Sequence, residues 1–191
     1  LIFAVISLGV ISVFAMYSTE QGIYGYYTKS HLYRFITFFG IFLIVSLFKI
    51  KFWFRSAYIF YIIVLILLFA VDSFGVTASG SKRWISLVFI NLQPSELMKV
   101  ALIIFLARYY YKIPSDNVTN IRYIITPVFA IFIPVVLVVS QPDLGTAVLI
   151  LLGGIGVIFL TGFRFKFFLY SFFALVLLMP VGVSLLKPYQ K

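Results

Sequence analysis

Two short polar segments interrupt an otherwise apolar chain, and they hold the residues able to do chemistry. The first is Gly75-Val76-Thr77-Ala78-Ser79-Gly80-Ser81-Lys82-Arg83-Trp84-Ile85, leading through Asn91-Leu92 into Gln93-Pro94-Ser95-Glu96-Leu97-Met98-Lys99. The second is Gln141-Pro142-Asp143-Leu144-Gly145-Thr146. Arg83 and Lys99 are cations suited to holding an anion. Glu96, Asp143, Gln93 and Gln141 are the carboxylates and amides able to orient such cations or support the walls of a cavity. Trp84 can stack on a sugar ring or anchor at the membrane interface.

Each residue also has a plain structural explanation. Pro94 fits the first turn of a helix, where its missing N–H costs nothing. Gln93 or Ser95 can cap that turn, and Glu96 favours the positive helix end. Helix initiation alone therefore accounts for Gln-Pro-Ser-Glu. Lys99 lies a turn deeper, three residues after Glu96 and on nearly the same face. A lone ammonium in an apolar helix costs about 2.5–3.5 kcal/mol on insertion scales. Three readings stand for it: snorkelling outward, pairing with Glu96 or Asp143, or facing a hydrated anion-binding cavity. The second segment repeats the order of glutamine, proline, acid and helix, which predicts one cavity shared by two helices entering from the same side. Arg34, early in the second apolar run, either serves that cavity or reaches the interface. His31 stands alone, and no catalytic role is assigned to it. No His/Cys cluster, phosphate-binding glycine loop or nucleophile elbow is present, so a metal cage built from these residues is not expected.

The elements that must position these residues follow from composition. The 191 residues are 63% hydrophobic and carry only 15 Lys+Arg and 5 Asp+Glu. Mean hydropathy is +1.15. A soluble domain cannot cover its surface with so few charges, so the chain is expected to be a polytopic membrane protein. Cysteine is absent, which excludes a disulfide scaffold. The net charge of +10 would suit nucleic acid only as a solvated patch. Its basic residues instead sit between apolar runs, as in Lys49-Ile50-Lys51 with Arg55, which points to anionic membrane lipid and away from nucleic acid.

About seven stretches approach the roughly 20 residues a spanning helix needs. They are Leu1–Tyr17, His31–Phe48, Ser56–Phe74, Pro94–Tyr111, Arg122–Ser140, Leu144–Thr161 and Phe165–Leu186. The expected fold is an all-α transmembrane helix bundle, because backbone groups in lipid must be satisfied within each segment. The links at 49–55, 108–122 and 162–166 hold Lys49, Lys51, Arg55, Arg108, Lys112, Arg122, Arg164 and Lys166. The positive-inside rule places these links in the cytoplasm and 18–30, 75–93 and 141–143 outside. Tyr24, Tyr26 and Tyr27, like Tyr109, Tyr110 and Tyr111, read as interfacial belt residues. Gly153, Gly154 and Gly156 are expected to permit close helix packing. Leu1 opens directly in an apolar run without a basic region before it, so the start is not read as a signal peptide. The chain is read as a piece of a longer protein: a single integral membrane domain over 1–191, truncated after Lys191 and by a few residues at its start.

Gly80-Ser81-Lys82-Arg83-Trp84-Ile85, Gln93-Pro94-Ser95-Glu96-Leu97-Met98-Lys99 and Gln141-Pro142-Asp143-Leu144-Gly145-Thr146-Ala147 resemble, in wording, order and spacing, the shape, elongation, division and sporulation (SEDS) family. Met16-Tyr17-Ser18 also fits, and Leu186-Lys187-Pro188-Tyr189-Gln190 is more similar to the RodA branch than to the FtsW branch. The resemblance implies a bacterial inner-membrane protein with about ten helices, of which about seven spans are present here. It implies a peptidoglycan glycosyltransferase that polymerises lipid II into glycan strands for cell elongation and rod shape, alongside a class B penicillin-binding protein. The family's catalytic base is an aspartate in a large outward loop that would lie beyond Lys191, so this chain alone is expected to be inactive. Asp143 matches the Gln-Pro-Asp motif and is read as cavity support. Arg83, Trp84 and Lys99 are the expected substrate contacts. Mg2+ is a candidate cofactor that would screen the lipid II pyrophosphate. A lipid II flippase and a non-catalytic scaffold for the penicillin-binding protein are the rival readings.

Overall fold

The structure, a computed structural model, describes residues 1–78, 81–87, 90–163 and 168–170. The chain order is α1 (Ile2–Thr19), α2 (Tyr26–Ser46), α3 (Ile50–Phe74), β1 (Val76–Ala78), β2 (Ser81–Leu87), β3 (Ile90–Leu92), α4 (Pro94–Tyr111), α5 (Ile125–Ser140) and α6 (Leu144–Leu160), with two single 3₁₀ turns at Ser115–Asn117 and Ile121–Tyr123. The first six expected spans are thus helices. The seventh, with Arg164, Lys166 and the Leu186–Gln190 segment, lies outside the described residues except for 168–170. Among the described residues three helical stretches are long and apolar enough to cross a membrane by length and composition: Ile2–Thr19, Ile50–Val71 and Ile121–Ser140. Leu144–Leu160 is a shorter apolar helix.

The chain divides into two compact units, Leu1–Phe52 and Trp53–Lys191. In the first, α1 and α2 pack through Gly9, where any side chain would run into the Phe35 ring. His31 Nε2 and Ser12 Oγ are hydrogen-bonded at 2.9 Å. The link between these helices is closed by Glu20. Its carboxylate accepts from the backbone N–H groups of Tyr27 (3.0 Å) and Thr28 (2.9 Å) and from the Thr28 hydroxyl. Glu20 therefore caps the start of α2 from outside the helix, where the dipole favours an anion. Arg34 is exposed on α2.

In the second unit the buried residues fall at helical spacing, as Tyr61, Val64 and Leu68 on α3 and Met98, Leu102 and Leu106 on α4. α6 packs on both α4 and α5. Gly154 is the close contact of its helix, since a Cβ there would press on Ile131. Gly153 meets Ile103 only at ordinary distance and Gly156 faces open space, so one of the three expected packing glycines carries the interface. Outside the core the surface stays apolar: Ile59, Ile62 and Ile66 on α3 and Phe129 and Phe132 on α5 are exposed. Helices hydrophobic on every side belong in lipid, and the molecule is a polytopic membrane helix bundle.

The first polar segment forms, among the described residues, a three-stranded antiparallel sheet in the order β1-β2-β3. Val76 pairs with Trp84 and Thr77 with Lys82, with a register shift between Val76 and Thr77; Ile85 pairs with Leu92. Its glycines and small polar residues hid β-branched positions at Val76, Thr77, Ile85 and Ile90. Backbone groups at a membrane surface gain from pairing with one another, which favours strands over an irregular loop. The expected link at 49–55 is also shorter than its charges suggested. α3 already begins at Ile50, because Lys and Arg are good helix formers even where hydropathy falls.

Candidate functional site

The polar residues of the two Gln-Pro segments meet at the end of the second unit that carries the sheet. β2 brings Arg83 across the α5–α6 turn. Its Nε donates to the Gln141 carbonyl at 3.3 Å, its Nη2 donates to the Pro142 carbonyl, and its Nη1 lies 3.8 Å from Asp143 Oδ1. The planar guanidinium spreads its donors over three nitrogens in a rigid fork and so meets three separated acceptors, where an ammonium would offer a single nitrogen. The Arg83 side chain stays 30% exposed, so some of its five N–H groups remain open toward solvent.

Asp143 organises this end. Its Oδ1 accepts from the Thr146 backbone N–H at 3.3 Å, capping α6, and its Oδ2 accepts from Gln93 Nε2 at 3.1 Å. Gln93 Nε2 also donates to Ser95 Oγ at 3.1 Å. The expected side-chain cap of α4 by Gln93 or Ser95 is absent: no side-chain hydrogen bond closes that helix start. Gln93 is turned toward Asp143 instead, which joins the starts of α4 and α6. Gln141 is 3% exposed and donates through Nε2 to the Leu68 carbonyl of α3 at 3.0 Å. The two glutamines thus link the start of α4 to that of α6 and the end of α5 to α3, and Asp143 is a structural acceptor rather than an exposed carboxylate.

Lys99 stands apart from this network. Its Nζ lies 2.8 Å and 2.9 Å from the two Glu96 oxygens, so the pairing expected three residues apart is made with Glu96 and not with Asp143. The side chains are 27% and 54% exposed respectively, which leaves the pair on an accessible wall of α4. Lys99 is five residues past Pro94, roughly 8 Å along the helix. Trp84 follows Arg83 in β2, half-buried, and strand alternation turns it to the opposite face of the sheet. The structure therefore assembles Arg83, Gln93, Gln141 and Asp143 in one network, places Glu96 and Lys99 beside it on α4, and keeps Trp84 off the Arg83 face. Sequence reasoning missed the carbonyls of Gln141 and Pro142, which only the sheet brings to Arg83.

The opposite end of the same helices is also polar. Arg108, in the last turn of α4, donates through Nη1 to the Arg55 carbonyl of α3. Its guanidinium lies 4.4 Å from the Tyr58 ring centroid, and Lys112 Nζ lies 5.7 Å from the same ring.

The FtsW/RodA/SpoVE cell cycle protein family model matches residues 1–191. The chain belongs to this family. Among FtsW/RodA/SpoVE relatives, the peptidoglycan glycosyltransferase MrdB of Escherichia coli (strain K12) is 41% identical over 109 residues, covering 56% of this chain and 28% of its own. The probable peptidoglycan glycosyltransferase FtsW of Tolumonas auensis is 32% identical over 196 residues, covering 100% of this chain and 50% of its own. The crystal structure of the Thermus thermophilus rod shape determining protein RodA matches with a TM-score of 0.61 and 32% identity, over 72% of this chain and 44% of that one. A chain from a structure on the coordination of polymerization and crosslinking by a peptidoglycan synthase complex matches with a TM-score of 0.67 and 32% identity, over 78% and 44%. The chain spans half or less of the length of these relatives.

Proposed function

We propose that the full-length protein is a peptidoglycan glycosyltransferase of the bacterial inner membrane that polymerises lipid II, with the sheet-bearing end facing outward. The observation that carries this reading is the placement of two accessible cations, Arg83 and Lys99, at one end of an apolar bundle, each oriented by fixed acceptors. Lipid II presents a pyrophosphate at headgroup depth on a long polyprenyl chain. Arg83 and Lys99 would hold that anion while the prenyl chain lies against the apolar helix faces. In glycosyl transfer an acceptor hydroxyl attacks the anomeric carbon, the bond to the pyrophosphate oxygen breaks, and that oxygen leaves with the electron pair. Cations already at the pyrophosphate stabilise the charge that develops there.

The acceptor proton needs a base, and the carboxylates here are committed elsewhere. Asp143 accepts from Thr146 and Gln93 beside Arg83, and Glu96 is paired with Lys99. Neither Asp143 nor Glu96 is therefore proposed as the base. Among the described residues no three His, Cys, Asp or Glu side chains converge, and both Asp143 oxygens face donors. In this reading Mg2+ screening the pyrophosphate would be held by phosphate oxygens and water. The likeness to a chain of a peptidoglycan synthase complex that coordinates polymerization and crosslinking supports a penicillin-binding protein as partner, and the relatives' glycosyltransferase names support lipid II as substrate.

Incubation of purified full-length protein with lipid II tests the proposal. Glycan polymer supports it; headgroup translocation without polymer would replace it with a flippase, and neither activity would leave a scaffold. Orientation is tested separately. The chain has no cysteine, so an Asn91→Cys variant should label from outside the cell; labelling only from the cytoplasm reverses the assignment.

A further inference from the structure

We propose that Arg108 and Lys112, gathered around Tyr58 with Arg55, form a binding site for the phosphate of an anionic phospholipid in the cytoplasmic leaflet. Four observations lead there. Arg108 and Lys112 are four residues apart on one helix face, where like charges repel, yet both approach the same Tyr58 ring at 4.4 Å and 5.7 Å. Arg55 sits one turn before Tyr58 on α3, on nearly the same face, and its carbonyl is already bonded to Arg108. Among the described residues no ion pair within 4.0 Å joins Arg108, Lys112 or Arg55 to a carboxylate; the acid of this link is Asp116, four residues past Lys112. The ring offers its negative face, which orients the cations but leaves their net charge intact.

The shape of the ligand follows from the flanks. On α3, Ile59 and Ile62 fall one and two turns past Arg55 on nearly its face and are exposed and apolar, and Tyr111 is exposed at the end of α4. A soluble anion would use only the charges, whereas an anionic lipid sets its phosphate on Arg108 and Lys112 and its acyl chains along these residues. Tyr111 at the span end suits headgroup depth. The site lies at the opposite helix ends from Arg83 and Lys99, so it is separate from the proposed catalytic cavity.

The test is retention of phosphatidylglycerol by the full-length protein in nanodiscs of mixed phosphatidylglycerol and phosphatidylcholine, read by native mass spectrometry. The double variant Arg108→Gln/Lys112→Gln should bind phosphatidylglycerol about 25-fold more weakly, at roughly fivefold per cation. Arg108→Lys, which keeps the charge but not the guanidinium bond to Arg55, should stay within a few-fold of the parent and separates charge from folding. Lys112→Gln alone leaves that bond in place and should lose about fivefold. Unchanged phosphatidylglycerol retention in the double variant would overturn the proposal. So would displacement of the lipid by millimolar inorganic phosphate, or equal retention of phosphatidylcholine.

Discussion

The hydroxyl of Tyr61 on α3 donates to the carbonyl oxygen of Ala130 on α5 at 2.8 Å. Four residues further along α5 stands Pro134, buried inside the helix. Proline has no N–H, so it withdraws the donor that Ala130 would otherwise receive from its own helix. Within a bilayer that carbonyl has no water to turn to, and Tyr61 supplies the missing donor from a neighbouring helix. Tyr61→Phe should therefore destabilise the full-length protein by about 1–2 kcal/mol, the cost of a buried acceptor left open. Pro134→Ala restores a backbone donor, so Tyr61→Phe should cost much less in that background. A thermal or denaturant double-mutant cycle reads the coupling; additive effects would show that Tyr61 does not serve the proline break.

Arg83 bridges the sheet to the α5–α6 turn through three acceptors. Arg83→Lys keeps the charge and loses the fork, so one ammonium must choose among the acceptors. The expected cost is about 2 kcal/mol in stability, typical of losing charge-assisted bonds. Lipid II turnover should fall as well, although the charge is kept, because the sheet is no longer held over the turn. Parent-like melting and turnover in Arg83→Lys would mean that charge alone matters at this position.

Glu20 lies outside the spans, and its carboxyl titrates below the ordinary 4.5. The largest cause is the hydrogen bond from the Thr28 hydroxyl, assisted by the N–H groups of Thr28 and Tyr27 and opposed by desolvation. A depressed folded value means that the capping contribution is present above the unfolded value and is lost as pH falls through the folded one. Carbon-13 titration of the Glu20 carboxyl should give a midpoint below 4.5, and Thr28→Val should move it upward. An unchanged midpoint in Thr28→Val would remove that hydroxyl as the main cause.

How much of this was legible in the sequence depends on the range of each interaction. The apolar runs place α4 and α6 at Pro94 and Leu144, where proline and an acidic cap mark the helix starts. α2 and α3 begin earlier than their apolar runs because hydropathy marks lipid-facing length, while Lys29, Lys51 and Arg55 continue a helix without difficulty. The Glu96–Lys99 pair is local and could be read from spacing. The contacts of Arg83 with residues 58 and 59 positions away could not, because they depend on a sheet whose strands are three to seven residues long. Gln93 looked like a helix cap because its position is one; only the tertiary arrangement of α6 offers Asp143 as the better acceptor.

Lys99 separates a structural from a catalytic reading most cleanly. If its ammonium exists only to neutralise Glu96, then Glu96→Gln and Lys99→Met should each do harm by leaving one partner unpaired, and the double variant should recover. If it holds the pyrophosphate, the double variant should fold but remain inactive. The structure gives both readings a foothold: the pair is closed at 2.8 Å, yet the Lys99 side chain is 27% exposed and its ammonium has three donors, more than one carboxylate uses. With an anion at the developing leaving group, a lost donor of this kind costs on the order of a hundredfold in turnover. The expected outcome is that Lys99→Met loses about that factor. Glu96→Gln should lose less, because the freed ammonium still faces substrate. Glu96→Gln/Lys99→Met should melt like the parent without regaining turnover. Recovery of turnover in the double variant would assign Lys99 to pairing alone and leave Arg83 as the anion contact of this chain.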